Sequence, residues 1–263
     1  MSLPAPAPNS TVVVTGASSG IGAELARELS RRGHHVTLVA RRRERLEELA
    51  TSLGEADVRP CDLADAASRA ELLGALRNAG RQVAALCNNA GFGAFGRVWE
   101  MDAETERRQV QLNVVALQDL TLEVLPGMVK RGAGSILNVG SIAGAQPLPG
   151  NATYAATKAF VNSFSEALHA ELKGTGVTCT LLTPGPVRTE FVEVADAADI
   201  ENRAPGFAWQ QPEDVARQAV EGMAKGRRVV APGLTTKVLS TSGRIAPRPL
   251  VLPLLRAAYR KKD

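Results

Sequence analysis

The 263-residue sequence is poor in the residues that mark several functional classes. Three cysteines that lie far apart argue against a disulfide framework, and no cluster of cysteines and histidines has metal-ligand spacing. Two tryptophans, two tyrosines, six phenylalanines and a net charge of +4 are too few for a basic, aromatic nucleic-acid surface. No run approaches the roughly 20 apolar residues of a membrane span, and the first ten residues do not resemble a signal peptide. We therefore expect a cytoplasmic globular protein with no metal and no nucleic-acid partner.

What the chain does contain is a regular alternation of apolar, β-branched runs with helical patterns. The predicted strands are 11–15, 35–40, 58–61, 83–87, 135–139, 177–182 and 228–231, and the predicted helices are 21–32, 43–53, 65–79, 102–131, 151–173 and 213–225. Strands that alternate with helices of this length favour a parallel sheet covered on both faces, with right-handed crossovers. We predict a Rossmann-like, doubly wound α/β fold of about seven strands.

One domain is predicted over residues 10–236, with a different composition on either side. The Pro-rich residues 1–9 are expected to form a flexible tail, and residues 237–263 a C-terminal extension. Within the extension, the apolar run 249–263 ends in basic residues, a pattern that fits weak contact with a membrane surface. Packing on its own domain, covering the active site and docking on a second subunit are the alternatives.

Glycines cluster between the first predicted strand and the first predicted helix, in Thr15-Gly-Ala-Ser-Ser-Gly-Ile-Gly22. Glycines let a backbone approach a ligand closely, and a helix N-terminus offers N–H groups to a pyrophosphate. A tight turn alone would explain the glycines, but the strand–turn–helix setting favours dinucleotide binding. The predicted cofactor contacts here are Gly16, Ser18, Ser19, Gly20, Ile21 and Gly22.

The end of the second predicted strand carries Arg41 and Arg42. An acidic residue near this point would hold the ribose 2′-hydroxyl of NAD. An arginine instead can bind a 2′-phosphate through charge-assisted hydrogen bonds. The pair therefore predicts NADP(H) as the cofactor, although the solvated start of a helix would also explain it.

Tyr154 and Lys158 stand four residues apart in a predicted helix, and Ser141 follows the fifth predicted strand. An i, i+4 pair lies on one helix face. A nearby ammonium together with a cationic nicotinamide ring would lower the pKa of a phenol from its usual value of about 10. Such a phenol could give and take protons near neutral pH. Taken alone, the pair equally fits an ordinary helix-face contact.

In this order the motifs resemble those of the short-chain dehydrogenase/reductase family, over about residues 11–233. Similar segments are Cys61-Asp62-Leu63, Asn88-Asn89-Ala90-Gly91, Leu112-Asn113-Val114, and Pro184-Gly185 followed by Val187 and Thr189. The resemblance implies that Asp62 contacts the adenine. It implies further cofactor contacts at Leu63, Asn88, Ala90 and Gly91, and a nicotinamide site at Pro184, Gly185, Val187 and Thr189.

The resemblance also implies a reaction, a hydride transfer between a nicotinamide and a carbonyl or carbinol carbon. Ser141 would bind the substrate oxygen, and Tyr154 would exchange its proton. Lys158 would bind the nicotinamide ribose and lower the Tyr154 pKa, and Asn113 would position a water that links Lys158 to solvent. A homodimer or homotetramer through residues 102–131 and 151–173 is implied as well.

The family's segment after Pro-Gly folds over the substrate, which here corresponds to about 187–211. That segment carries Phe191, Phe207 and Trp209, and with Phe92, Phe95 and Leu148 it favours a hydrophobic ketone, aldehyde or 3-oxoacyl substrate. These aromatics would equally serve as packing within the segment. Two other functions compete with the reductase: an NADP(H) sensor without chemistry, and a sugar-nucleotide epimerase or dehydratase.

Overall fold

The computed structural model describes residues 3–191, 206–233, 235–238 and 247–258. In this part of the chain, seven strands form one sheet in which every pair of neighbours is parallel. The strands are β1 (Ser10–Thr15), β2 (Val36–Ala40), β3 (Ala56–Pro60), β4 (Gln82–Asn88), β5 (Gly134–Val139), β6 (Val177–Leu182) and β7 (Val229–Val230). Their order across the sheet is β3-β2-β1-β4-β5-β6-β7.

Helices connect the strands and cover the sheet. They are α1 (Gly20–Arg31), α2 (Arg43–Leu53), α3 (Ala66–Asn78), α4 (Ala103–Val110), α5 (Leu117–Arg131), α6 (Ala152–Glu171), α7 (Pro212–Ala224) and α8 (Arg248–Ala258). A π-helical stretch, Gln111–Ala116, joins α4 to α5. Short 3-10 turns occupy Val98–Glu100, Ile142–Ala145 and Gly206–Ala208.

Two hydrophobic cores lie on opposite faces of the sheet, because successive strand side chains point to opposite faces. One core packs α1, α2 and α7 against the sheet and includes Val12, Val14, Leu25, Leu46 and Val215. The other packs α3, α5 and α6 and includes Val13, Leu72, Leu120, Ile136 and Leu168. The predicted doubly wound α/β fold is therefore confirmed.

The helical segment Ala103–Arg131 has the length and hydropathy of a membrane span, which the sequence analysis did not anticipate. Leu120, Val124 and Met128 of this segment are buried in the core that also contains Ile136 of β5. A core helix of a globular domain has the same apolar character. The segment serves here as a core helix.

The N-terminal segment lies against the domain rather than extending freely, contrary to the predicted tail. The Leu3 N–H donates to the Met223 carbonyl on α7, and the Arg81 guanidinium donates to the Pro8 carbonyl. Leu3 also packs on the α1/α7 core. A partly buried leucine and these two hydrogen bonds explain the difference from a prediction based on proline content.

The strand order reverses between β1 and β4, since β1 continues to β2 on one side and pairs with β4 on the other. At such a switch point the connections leave in opposite directions and open a crevice beyond the carboxyl ends of the strands. The candidate site lies there.

Candidate active site

A cleft of about 660 Å³ opens at the carboxyl ends of the strands. Most of the residues predicted from the sequence line it. They are Gly16, Ser18, Ser19, Gly20, Ile21, Arg41, Arg42, Asp62, Leu63, Ala90, Gly91, Ser141, Tyr154, Lys158, Pro184, Gly185, Val187 and Thr189. Three predicted residues, Gly22, Asn88 and Asn113, are absent from the lining and have other roles.

The glycine turn after β1 is held against the segment after β4. Gly16 has a φ of +65°, and a Cβ there would lie 2.7 Å from Nδ2 of Asn89, so only glycine fits. Asn89 Nδ2 donates to the Thr15 carbonyl at 2.9 Å, and the backbone N–H groups of Asn89 and Ala90 donate to Thr15 Oγ1 at 2.9 and 3.0 Å. Asn89, which the sequence analysis left out, therefore joins the two loops.

The N-terminus of α1 faces the cleft without an anionic partner of its own. Ser19 occupies the N-cap position but makes no side-chain capping bond, and the first turn has no acidic residue. The first N–H groups and the positive end of the helix dipole suit a phosphate. Gly22 supports this turn from behind: a Cβ there would lie 2.2 Å from the Gly16 carbonyl oxygen.

Asn88 points away from the cleft, which corrects its prediction as a cofactor ligand. Its Nδ2 donates to Thr121 Oγ1 at 3.0 Å and to Asn138 Oδ1 at 2.9 Å, in a buried network between β4, β5 and α5. The period of two along a strand turns Asn88 inward, whereas the chain leaves the strand at Asn89. Asn88 is a structural residue beneath the site.

The side chain of Asn113 is also committed to the protein itself. It donates to the Phe92 carbonyl at 2.9 Å and to Thr157 Oγ1 at 3.1 Å, and its Oδ1 accepts the Phe92 N–H at 3.1 Å. Asn113 lies in the π-helical stretch, and its side chain thus fixes the loop after β4. Its suggested part in positioning a water stays a prediction.

A basic cluster forms one end of the cleft. Arg42 donates to Ser18 Oγ at 3.2 and 3.0 Å and to Ser19 Oγ at 2.9 Å, while Arg41 is exposed. Arg42 and Arg45 both donate to the carboxylate of Glu190. Sequence reasoning missed Glu190 and Arg45, because no local pattern predicts a contact across the cleft.

Asp62, near this end, pairs with a residue that the sequence analysis did not name. Arg108 of α4 donates to Asp62 Oδ2 at 2.7 Å, and the Ala64 N–H donates to Oδ1 at 3.0 Å. Although partial burial acts to raise it, the pKa of Asp62 lies below its ordinary value because of these two bonds and the charges of Arg108 and Arg41. Asp62 is an ionised acceptor at neutral pH.

The opposite end of the cleft holds Ser141, Tyr154 and Lys158. Tyr154 and Lys158 lie on α6, Ser141 follows β5, and the Ser141 hydroxyl is hydrogen-bonded to the Tyr154 phenol. Asn162 attaches the strand end to the helix: its Nδ2 donates to the Ser141 carbonyl at 3.0 Å, and its Oδ1 accepts the Ser141 N–H at 3.4 Å. The tertiary contact between β5 and α6 brings the three side chains together.

Desolvation shifts the pKa values of both Tyr154 and Lys158 in the protein itself. Burial raises the pKa of Tyr154 to about 12, with the Ser141 hydrogen bond acting in the opposite direction. Burial also lowers the pKa of Lys158 to about 8. Lys158 Nζ donates to the Val139 carbonyl at 2.8 Å and lies 5.7 Å from the centre of the phenol ring. The predicted lowering of the Tyr154 pKa applies to Lys158 together with a cationic nicotinamide ring, and for the protein with bound cofactor it stays a prediction.

Apolar side chains surround the phenol. The rings of Tyr154 and Phe191 are 5.6 Å apart at 50°. Other large apolar residues in the cleft lining are Phe92, Phe95, Leu112, Leu148 and Trp209. The predicted covering segment 187–211 is described only in part: residues 192–205 and the side chain of Phe207 lie outside the described residues.

Comparison with known proteins gives consistent matches. The family described as short chain dehydrogenase matches residues 10–199. Sulfoacetaldehyde reductase 2 of Chromohalobacter salexigens is 37% identical over 193 residues, covering 72% of this chain and 77% of that protein. The NADP-dependent 3-hydroxy acid dehydrogenase YdfG of Escherichia coli K12 is 38% identical over 212 residues, covering 78% and 85%. The structure of a short-chain dehydrogenase from Sphingobium yanoikuyae in complex with NADPH superimposes with a TM-score of 0.80 at 32% identity, covering 97% and 98%.

Proposed function

The protein belongs to the short-chain dehydrogenase family, and from this membership and the cleft we propose that it is an NADP(H)-dependent oxidoreductase acting on a hydrophobic ketone, aldehyde or 3-oxoacyl compound. The observation that carries the proposal is one cleft that has a basic end and a Ser141-Tyr154-Lys158 group, in which Ser141 and Lys158 are buried and Tyr154 is half-buried. The basic end suits a phosphorylated cofactor, and the Ser141-Tyr154-Lys158 group suits proton transfer to a carbonyl oxygen.

The residues present fit NADP(H). The Gly16 turn leaves no room for a side chain, so a pyrophosphate can approach the backbone and the start of α1. Arg41, Arg42 and Ser18 would hold the 2′-phosphate. Asp62 would accept from the adenine, and Lys158 would bind the nicotinamide ribose. The bound cofactor supplies or accepts the hydride.

The side chains of the protein would handle the proton. Ser141 donates a hydrogen bond to the substrate oxygen, where negative charge develops during reduction. Tyr154, whose pKa of about 12 keeps it protonated at neutral pH, gives that oxygen its proton. Lys158, with a pKa of about 8, is mainly cationic at pH 7 and stabilises the phenolate that forms. For reduction at neutral pH, Tyr154 is therefore in the protonated state that the step requires.

A neutral, hydrophobic substrate is the class that the described residues favour. The apolar residues of the lining include Phe92, Leu148 and Phe191, and the ring of Phe191 lies 5.6 Å from that of Tyr154. Over residues 3–191 and 206–233, every arginine in the cleft lining lies at the cofactor end, and Lys158 is the lining's one lysine. A carboxylate or sulfonate, as the names of two relatives imply for their own substrates, would find no cation but Lys158 among the described residues of the lining at the Tyr154 end.

The test is NADPH consumption by the purified protein with hydrophobic ketones, aldehydes and 3-oxoacyl thioesters, and with sulfoacetaldehyde and small 3-oxo acids for comparison. Tyr154→Phe is expected to abolish turnover and to leave NADPH affinity nearly unchanged. Turnover that survives in this variant would refute the role of Tyr154. A preference for the small anionic compounds would refute the substrate class, and tight NADPH binding without turnover would favour the sensor.

We also propose a homodimer or homotetramer built through α5 and α6. Leu122 and Val129 of α5 are 58% and 40% exposed, and Ala156 and Ala159 of α6 are exposed as well. Ala155 faces the core instead. Apolar helix faces of this kind suit subunit contact. Light scattering after size-exclusion chromatography should give a multiple of 27.7 kDa, and Leu122→Glu should shift it to the single-chain mass.

The remaining proposals concern the ends of the chain and its location. We retain one catalytic domain over residues 10–236, an extension over 237–263 and a cytoplasmic location. The amphipathic α8, in which Leu252 is 37% exposed, supports weak membrane contact through residues 249–263. Sedimentation with anionic liposomes would test this: equal binding after removal of 249–263 would dismiss it.

A further inference from the structure

Glu190 makes a contact that the proposed reaction does not use. Its carboxylate accepts from Arg42 Nη1 at 2.8 Å and from Arg45, two residues at the start of α2 on the opposite wall of the cleft. Glu190 and Arg42 are 148 positions apart in sequence. We call this cluster of two ion pairs, in which Glu190 contacts both Arg42 and Arg45, the acidic clasp.

The clasp involves the guanidinium that would bind the cofactor phosphate. Arg42 uses Nε and Nη2 for the hydroxyls of Ser18 and Ser19, and Nη1 for Glu190. Two hydroxyls and a guanidinium form a suitable cradle for a phosphate. The anion that Arg42 now holds belongs to the protein itself.

We propose that Glu190 competes with the 2′-phosphate of the cofactor for Arg42, and that this competition limits the preference of the protein for NADP(H) over NAD(H). This inference rests on the proposed function, since it assumes that NADP(H) binds in the cleft. A phosphate on Arg42 must displace the carboxylate or share the guanidinium with it. If the two share the guanidinium, the negative charges of the carboxylate and the phosphate repel each other, and if the carboxylate is displaced, its ion pair with Arg42 is lost. Both outcomes weaken phosphate binding.

The charges at the clasp are consistent with competition. The hydrogen bonds from Arg45 and Arg42 hold the pKa of Glu190 below its ordinary value, so it is ionised at neutral pH. Arg41 lines the same end of the cleft, is exposed, and makes no ion pair within the described part of the chain. Arg41 is therefore available for the phosphate from the outset, whereas Arg42 becomes available only when Glu190 releases it.

The neighbours of Glu190 connect the clasp to both halves of the site. Thr189 fills the space above Gly20, where a Cβ would lie 2.8 Å from the threonine methyl group. Phe191 contacts Tyr154, with ring centres 5.6 Å apart. Release of Glu190 should therefore loosen residues 187–191, which lie between the glycine turn and the phenol.

Calorimetric titration with NADPH and NADH tests the competition. Glu190→Gln keeps the shape of the side chain and removes its charge. We expect the Kd for NADPH to fall by about three- to tenfold, which corresponds to the free energy of an exposed ion pair together with the relief of charge repulsion. The Kd for NADH should change by less than about twofold, because NADH lacks the phosphate. Glu47→Gln is the matched control: Glu47 lies on the same helix, pairs with Arg43 and does not contact Arg42, so neither Kd should change.

An unchanged or larger NADPH Kd in Glu190→Gln would overturn the inference and would mean that Glu190 supports Arg42 instead. Comparison of the two proteins separates this failure from failure of the proposed function: if neither the wild type nor Glu190→Gln binds NADPH more tightly than NADH, the cofactor assignment itself is wrong. Hydrogen exchange on the wild type needs no variant. NADPH should speed exchange of the 187–191 amides relative to NADH, and equal protection by both cofactors would count against release of the clasp.

Discussion

Lys158 is buried on α6. Because its charged amine is buried, the wild-type protein should be less stable than a variant with methionine at this position. Within the described part of the chain, the Lys158 Nζ has one hydrogen bond, to the Val139 carbonyl at 2.8 Å, and burial lowers its pKa from 10.5 to about 8. The unfolded chain therefore holds the proton more tightly than the folded protein does. At pH 7 this difference corresponds to about 3 kcal/mol of lost folding free energy.

Lys158→Met removes that penalty and most of the polarity while keeping a similar side-chain length. The lost hydrogen bond to Val139 costs about 1 kcal/mol. We expect the variant to be more stable than the wild type by about 2 kcal/mol at pH 7, and to be inactive. In the wild type, the folding free energy lost through the buried amine is largest below pH 8. This loss decreases as the pH rises from 8 to 10.5 and disappears above 10.5.

The assay is urea unfolding at pH 7 and pH 9.5. Between these pH values the advantage of Lys158→Met should shrink by roughly 2 kcal/mol, so that the two proteins become nearly equal. Lys173→Met, at an exposed lysine just beyond α6, should show no such pH-dependent gain. A Lys158→Met variant that is less stable at pH 7, or whose gain is the same at both pH values, would refute burial as the dominant influence on this amine.

Three further predictions concern the cofactor end of the cleft. Arg41→Asp should raise the Kd for NADPH by about 10- to 100-fold, the range of a charge-assisted hydrogen bond, and NADH binding should change much less in the same fluorescence titration. Asn88→Ala should lower the free energy of unfolding by about 1–3 kcal/mol, because it removes a buried hydrogen-bond partner from Asn138 and from Thr121. Asn89→Ala should mainly weaken NADPH binding. Loss of NADPH affinity in Asn88→Ala and loss of stability in Asn89→Ala, measured by titration and thermal melting, would contradict the geometry. Gly20→Ala, at a φ of +53° and against Thr189, should cost about 1–2 kcal/mol of stability in urea unfolding and weaken NADPH binding, and an unchanged variant would show that the turn has room.

Local patterns in the sequence are enough to predict the sheet and its helices. The strand–helix alternation depends on periods of two and 3.6 residues, which each segment carries by itself. The i, i+4 spacing of Tyr154 and Lys158 is local in the same sense, since any helix at that position places them on one face. The glycine turn belongs here too, because Gly16 needs a backbone conformation that other residues rarely adopt.

Contacts between distant segments could not be predicted in this way. Only the fold places Arg108 beside Asp62 and Glu190 beside Arg42, because the residues of each pair lie on different elements that pack together. The choice between Asn88 and Asn89 as the residue that faces the cleft depended on where β4 ends. The N-terminal residues 3–9, read as a free tail from their prolines, are held by α7 and by Arg81.

The residue types alone determined which chemical groups this protein has available: a phenol, an amine and a hydroxyl for proton transfer, and arginines for a phosphate. Tertiary structure alone decided their protonation, because desolvation depends on how many other segments surround a group. The pKa of Tyr154 accordingly lies above its ordinary value and that of Lys158 below it. The sequence reveals the neighbouring charge of Lys158 but not the loss of water that acts against it.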